Sequence, residues 1–109
     1  MKIEETARPG IYLAEIEGRL DNGSAAAVEE GLLPLLGQSR VALDLAAVGF
    51  VSSAGLRVLL KAAKLAKASG TAFVICGLQP TVREVYEISG FDRIIQAHPN
   101  RDEALAALN

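Results

Sequence analysis

Hydrophobic positions recur along the chain in two different rhythms, and the alternation between them predicts the order of elements. Val41-Ala42-Leu43-Asp44-Leu45 is a short apolar run that reads as a buried strand. A turn of mostly small residues follows, Gly49 to Gly55, and then the spacing changes. Leu56, Leu59, Leu60, Ala63 and Ala66 recur three and four apart, which predicts a helix over Ala54 to Ala68 with one apolar stripe. Arg57, Lys61, Lys64 and Lys67 fall mostly on the opposite side, and no acidic residue interrupts them. Ser53 stands where an N-cap hydroxyl accepts a bond from an orphan backbone N–H, and Gly70 stands where a helix ends.

The remaining segments follow the same logic. Lys2 to Thr6 reads as a short edge strand ending in a turn at Arg8-Pro9-Gly10. Ile11 to Gly18 is a firmer strand with apolar residues on both faces, and the two strands predict a hairpin. Gly18 to Ser24 is a polar turn whose cap candidates are Asn22 and Ser24. Val28, Leu32, Leu35 and Leu36 then repeat at helical spacing, and Pro34 bends or ends that helix before Gly37. Thr71 to Cys76 is another buried strand. Pro80 opens a helix whose inner side is Val82, Val85, Tyr86 and Ser89, with Gly90 stopping it. Ile94-Ile95 reads as a last short strand, and Asp102 to Leu108 as a terminal helix with Ala104, Leu105 and Leu108 inward. Strands alternating with helices argue for a single α/β domain over residues 1–109, with a mixed, mostly parallel β-sheet of about four to five strands against about four helices.

Composition narrows the function more than the fold. Half the residues are hydrophobic and 22% are charged, which suits a packed globular domain rather than a disordered one. A formal net charge of −2 and the absence of Trp argue against a nucleic-acid partner. Cys76 is the only cysteine, so the chain has no internal disulfide and lacks the thiolates of a zinc site. The segment MKIEETARPG has no apolar leader and no stretch approaches a membrane span. Those features lead to the expectation of a cytoplasmic protein without direct membrane insertion.

An enzyme is disfavoured on chemistry. A serine nucleophile needs a base and an orienting carboxylate. The only histidine, His98, falls in a loop before Pro99-Asn100 and reads as solvated, and Ser53 is not framed as Gly-x-Ser-x-Gly. Glycine-rich phosphate loops and dinucleotide fingerprints are also missing. No catalytic residue, cofactor or metal ligand is expected. Ser53 therefore has two readings, a helix cap or a hydroxyl offered at a helix N-terminus for modification. A phosphate there adds roughly −1.5 to −2 charge where backbone N–H groups and the helix dipole favour an anion. Arg57, one turn further on, is placed to pair with it. The basic stripe reads either as a solvated face or as a docking face for an acidic partner.

The run Leu43-Asp44-Leu45-Ala46-Ala47-Val48-Gly49-Phe50-Val51-Ser52-Ser53-Ala54-Gly55-Leu56 resembles the signature of the STAS family, the fold of bacterial anti-sigma factor antagonists. Gly18-Arg19-Leu20-Asp21 and Ile88-Ser89-Gly90-Phe91 match its early and late segments, so the likeness covers nearly the whole chain. In that family an aspartate precedes a phosphorylatable serine, a small residue, glycine and leucine. Ser53 takes the acceptor place here, Gly55-Leu56 the glycine-leucine place, and Ser52 stands where the aspartate is usual, which makes Ser52 a second candidate acceptor. The resemblance implies a switch that binds an anti-sigma factor with serine kinase activity when unphosphorylated and lets go once Ser53 is modified. A phosphatase acting on Ser53 belongs to the same scheme. By this likeness Asp21 lies near the Ser53 turn, and the partner surface comprises Asp21, Asn22, Ser52, Ser53, Ala54, Gly55, Arg57 and Lys61. The alternative that the resemblance carries is an accessory subunit of a lipid-transport ATPase or of a larger signalling assembly, for which Ser53 needs no modification.

Overall fold

In the computed structural model, which describes all 109 residues, the chain runs β1 (Lys2–Glu5), β2 (Ile11–Leu20), α1 (Ala25–Leu36), β3 (Arg40–Val51) and α2 (Ser53–Ser69). It continues through β4 (Phe73–Cys76), α3 (Pro80–Ile88), a single 3₁₀ turn at Phe91–Arg93, β5 (Gln96–His98) and α4 (Arg101–Ala107). The five strands lie in sequence order, with β1 antiparallel to β2 and every other pair parallel. The expected mixed sheet with four helices is what forms, and no helix is long and apolar enough to cross a membrane.

The sheet separates two apolar layers of unequal size. Leu43, Leu45, Val48 and Val51 of β3 join Val28, Leu32, Leu36, Val58, Leu59 and Ala62 in the larger one, under α1 and α2. Ile11, Leu13, Ala42, Val74 and Cys76 face the other way and meet Ala104, Leu105 and Leu108 at the end of the chain. Two arginines fasten that end. Arg101 pairs with Glu15 and with Asp44, a carboxylate only 7% exposed, and Arg40 donates to the Leu108 carbonyl. A buried carboxylate needs such a partner to stay charged. Burial first, and the neighbouring Asp44 second, push the Cys76 thiol up to about 11, so it stays protonated and packs as a small hydrophobe.

Several boundaries differ from the sequence reading. β3 runs on to Val51 instead of stopping at Leu45, because Val48 and Val51 still reach the core past the solvent-facing Ala46 and Ala47. β2 likewise continues through Arg19 and Leu20. α1 does end before Gly37, as expected, and it carries Pro34 within its last turn because the proline lies on the exposed side while Leu32 and Leu36 are fully buried on the other. Ile94-Ile95 is not a strand. Both N–H groups bond back to the Phe91 carbonyl, and β5 is the next segment, Gln96–His98. His98 is thus half-buried in a strand rather than solvated in a loop, and its Nε2 is buried without a hydrogen-bond partner.

The inner side of α2 is broader than the leucine stripe suggests. Ala54, Gly55, Val58, Leu59, Ala62 and Ala66 are buried, while Leu56, Leu60 and Ala63 are only half-buried. Small residues let the helix axis close on the sheet, and the tightest point is Gly55. A Cβ there would collide with the Leu20 carbonyl oxygen and come within 2.8 Å of Leu20 Cγ. Gly55→Ala should therefore destabilise the fold by about 1–3 kcal/mol, the usual scale for overpacking, despite alanine's better helix propensity. A urea midpoint that stays level or rises in this variant would show that close approach is not what requires the glycine.

Candidate functional site

The carboxyl-terminal ends of β2 and β3 are locked side by side, and this brings the singled-out residues together. The Ser52 N–H donates to the Leu20 carbonyl at 2.9 Å, one residue before Asp21. The loop after β2 is then folded around Asp21. Its Oδ1 accepts from the Gly23 N–H at 3.0 Å and its Oδ2 from Arg19 Nε at 3.0 Å. The Ser24 hydroxyl accepts from the Asp21 N–H and donates to the Arg19 carbonyl. Ser24 is the residue before α1, yet its side chain makes no capping bond to that helix, because its hydroxyl is spent on this loop. Asn22 lies exposed at the tip. The Arg19 hydrogen bond first, and the Gly23 N–H second, hold the Asp21 carboxyl below the usual carboxylate range.

At the helix start the structure reverses one expectation. Ser52, not Ser53, is the N-cap: its backbone is extended and its hydroxyl accepts from the Gly55 N–H at 3.3 Å. Ser53 is the first helical residue, exposed, and its hydroxyl makes no hydrogen bond to the rest of the chain. The cap moves by one residue because β3 extends to Val51, so the chain makes its bend at Ser52. Ala54 and Gly55 are buried beneath it, so of the small residues in the turn these two support the surface rather than present it. Arg57 is exposed one turn along without an ion pair, whereas Lys61 is held by Glu29 of α1 at 2.8 Å. Lys64 and Lys67 are exposed further along the same helix.

The chain's one histidine lies away from Ser53. His98 is level with Cys76 and Asp44 across the sheet, and Asp44 lies seven residues before the end of β3, about 23 Å of strand. Two residues of the site lie outside the sequence reading. Arg19 and Phe50 are register partners on β2 and β3, and the guanidinium carbon sits 4.1 Å from the ring centroid. A polar residue near a glycine and an aromatic in a small-residue turn carry no signal by themselves; only the strand register joins them.

The site is thus an unbonded serine hydroxyl at the first turn of a helix, beside a loop ordered by a carboxylate, in a small α/β domain. The STAS domain family matches residues 2–104, and the chain belongs to it. BtrV of Bordetella bronchiseptica, named as an anti-sigma factor antagonist, is 38% identical over 109 residues, 98% of this chain and 94% of that one. An anti-sigma factor antagonist of Mycobacterium paratuberculosis superposes with a TM-score of 0.86 at 25% identity, covering 98% of this chain and 91% of that one. SpoIIAA of Bacillus in its phosphorylated form has the same fold, with a TM-score of 0.74 at 16% identity over 99% of this chain and all of the other.

Two measurements check this geometry. Ser52→Ala should lower stability by about 1 kcal/mol, the worth of an N-cap hydroxyl, in urea unfolding; an unchanged midpoint would mean that the helix start is satisfied otherwise. Asp21 should titrate by carbon-detected NMR below an ordinary aspartate. Its folded pKa is lowered, so any contribution it makes to stability is present above the unfolded value and fades as pH falls through the folded midpoint. Arg19→Ala should move that midpoint up.

Proposed function

We propose that this protein is an anti-sigma factor antagonist of the phosphoswitch type, with residues 1–109 acting as one non-catalytic domain in the cytoplasm. Its partner is an anti-sigma factor that is also a serine kinase, bound while Ser53 is unmodified and lost when Ser53 carries a phosphate. A phosphatase restores the binding form. The observation that carries this reading is the exposed Ser53 hydroxyl, without a hydrogen bond, on a helix start fixed from below by Gly55 and Leu20. The BtrV likeness supports the partner class, and SpoIIAA supplies a protein of the same fold in phosphorylated form.

The physical step is local. As the first residue of α2, Ser53 places a phosphate near the free N–H groups of the first turn, with Arg57 one turn on. The modified domain therefore stays folded. The cost falls on the interface, where a dianion replaces a neutral hydroxyl, must be desolvated and repels partner carboxylates. Ser52 remains occupied as the cap, which favours Ser53 as the acceptor. Asp21 and Asn22 flank the site from the β2 loop, and Arg57 and Lys61 extend it along α2.

Ser53→Asp should weaken binding to the purified kinase anti-sigma factor of the source cell by more than about 1.4 kcal/mol, a tenfold change in Kd by titration calorimetry. Ser53→Ala should bind as wild type and take up no phosphate when incubated with that kinase and ATP. Equal binding by the Asp variant overturns the switch. Equal capture of a lipid-transport ATPase subunit by wild type and Ser53→Asp would instead favour the accessory-subunit role.

A further inference from the structure

The second face of the sheet is only half covered. α4 has seven residues, about 10 Å of helix, against twelve residues of β3, about 40 Å of strand. Its apolar contacts stop at Leu13, Ala42 and Cys76, and the Arg101 clasp to Glu15 and Asp44 marks the end of its reach. Beyond that row the ladder continues with Glu17 opposite Ala47 and Arg19 opposite Phe50, all four exposed. This bare strip ends at the Ser52-Ser53 turn.

Phe50 is organised in a way the chain's other exposed apolar side chains are not. Ile88 is more exposed, 79% against 42%, but it is aliphatic and offers no ring face to a cation. Phe50 lies under the Arg19 guanidinium, and Arg19 is held in turn through Nε by Asp21. An aromatic and an arginine, fixed in place before binding, lose little conformational freedom on association, and these residue types dominate interface energetics. Arg19 spends one of its five N–H donors on Asp21, and its Nη nitrogens make no hydrogen bond to the rest of the chain. A guanidinium presented in that way fits a carboxylate through two parallel bonds. The acids of the strip are Glu17 and the Asp21 that Arg19 already holds, and α2, packed on the other side of the sheet, adds one unpaired cation near the corner, Arg57.

We propose that the Arg19–Phe50 pair is the affinity anchor of the partner interface, seated in an apolar recess of the anti-sigma factor that is rimmed by carboxylates. This rests on the reading of the preceding subsection and extends it from the switch residue to the surface that supplies the binding energy. Phe50 precedes Ser53 by three residues, at most about 11 Å of chain. An interface of ordinary size, about 800 Å² a side, covers both. The division of labour is then definite: the stack holds the partner, and Ser53 decides whether it is allowed to close.

The test is titration of the purified kinase anti-sigma factor of the source cell against wild type, Phe50→Ala, Phe50→Tyr, Arg19→Ala and Ser53→Asp, with a thermal melt of each. Phe50→Ala should bind at least tenfold more weakly while melting as wild type, since the ring is exposed. Phe50→Tyr keeps the ring and the stack and should restore binding. In a double-mutant cycle, Phe50→Ala with Arg19→Ala should lose less than the product of the two single losses, because the residues act as one unit. If Phe50→Ala stays within twofold of wild type while Ser53→Asp fails to bind, the switch stands and the anchor is overturned. If wild type itself does not bind, the functional reading falls and takes the anchor with it.

Discussion

The Leu20 backbone is the point against which the functional end of this molecule is assembled. Its carbonyl takes the Ser52 N–H, and the absence of a side chain at Gly55 lets the first turn of α2 lie against it. Because Leu20 is the last residue of β2, the same contact fixes the start of the loop that Asp21 orders. Three separate segments, the end of β2, the end of β3 and the start of α2, thereby share one rigid corner. Ser53 gains its exposure from that corner. With Ala54 and Gly55 directed into the protein, the residue before them is left facing solvent, and Ser52 is turned to cap the helix.

Rigidity here has a functional consequence. A hydroxyl on a mobile loop would need ordering by both a kinase and a binding partner, and each would meet that entropy separately. A hydroxyl on a fixed helix start is presented in the same geometry to both. In the proposed switch, the competition between modification and binding is then decided by charge rather than by folding. The same holds for Arg19, which is tied to Asp21 through Nε while its guanidinium lies over the Phe50 ring.

Sequence periodicity conveyed the architecture well and the site unevenly. The strand at Val41 to Leu45 and the helix after Ser53 could be read because burial enforces a regular spacing, whereas the turn expected over Gly49 to Gly55 shrinks to Ser52 alone. The extension of β3 to Val51 could not, since Ala46, Ala47, Gly49 and Phe50 face solvent and interrupt the pattern. That missed extension also shifted the cap, because a helix start read from an apolar stripe carries an uncertainty of a residue and two serines were available. Ser53 stood out as the residue before the helical stripe and Asp21 through the family likeness, and a single backbone bond, from the Ser52 N–H to the Leu20 carbonyl, ties their two segments together. Arg19 and Phe50 lie 31 residues apart in sequence and meet only through the parallel register of β2 and β3, which local pattern does not encode. His98 was misplaced for a related reason: a three-residue strand at a sheet edge is too short to show a period.

The serine at position 52 shows how a departure from the family pattern separates structure from recognition. Aspartate and serine are nearly equal as N-caps, so the exchange keeps the helix start intact, as the bond from the Gly55 N–H to the Ser52 hydroxyl demonstrates. Electrostatically the two are not equal. A cap carboxylate would stand beside any phosphate on the next residue and repel it, whereas Ser52 leaves that neighbourhood neutral, with Arg57 as the closest charge along the helix. The modified state of the proposed switch is correspondingly easier for this domain to hold. In exchange, one negative group that a partner or kinase could read is missing beside the acceptor. Asp21, tied to the same corner through Leu20, is then the acidic group that remains at the turn, and its charge is maintained by Arg19. The acidic group left at this corner therefore sits in the neighbouring loop, where the arginine that lowers its pKa is also the one stacked on Phe50.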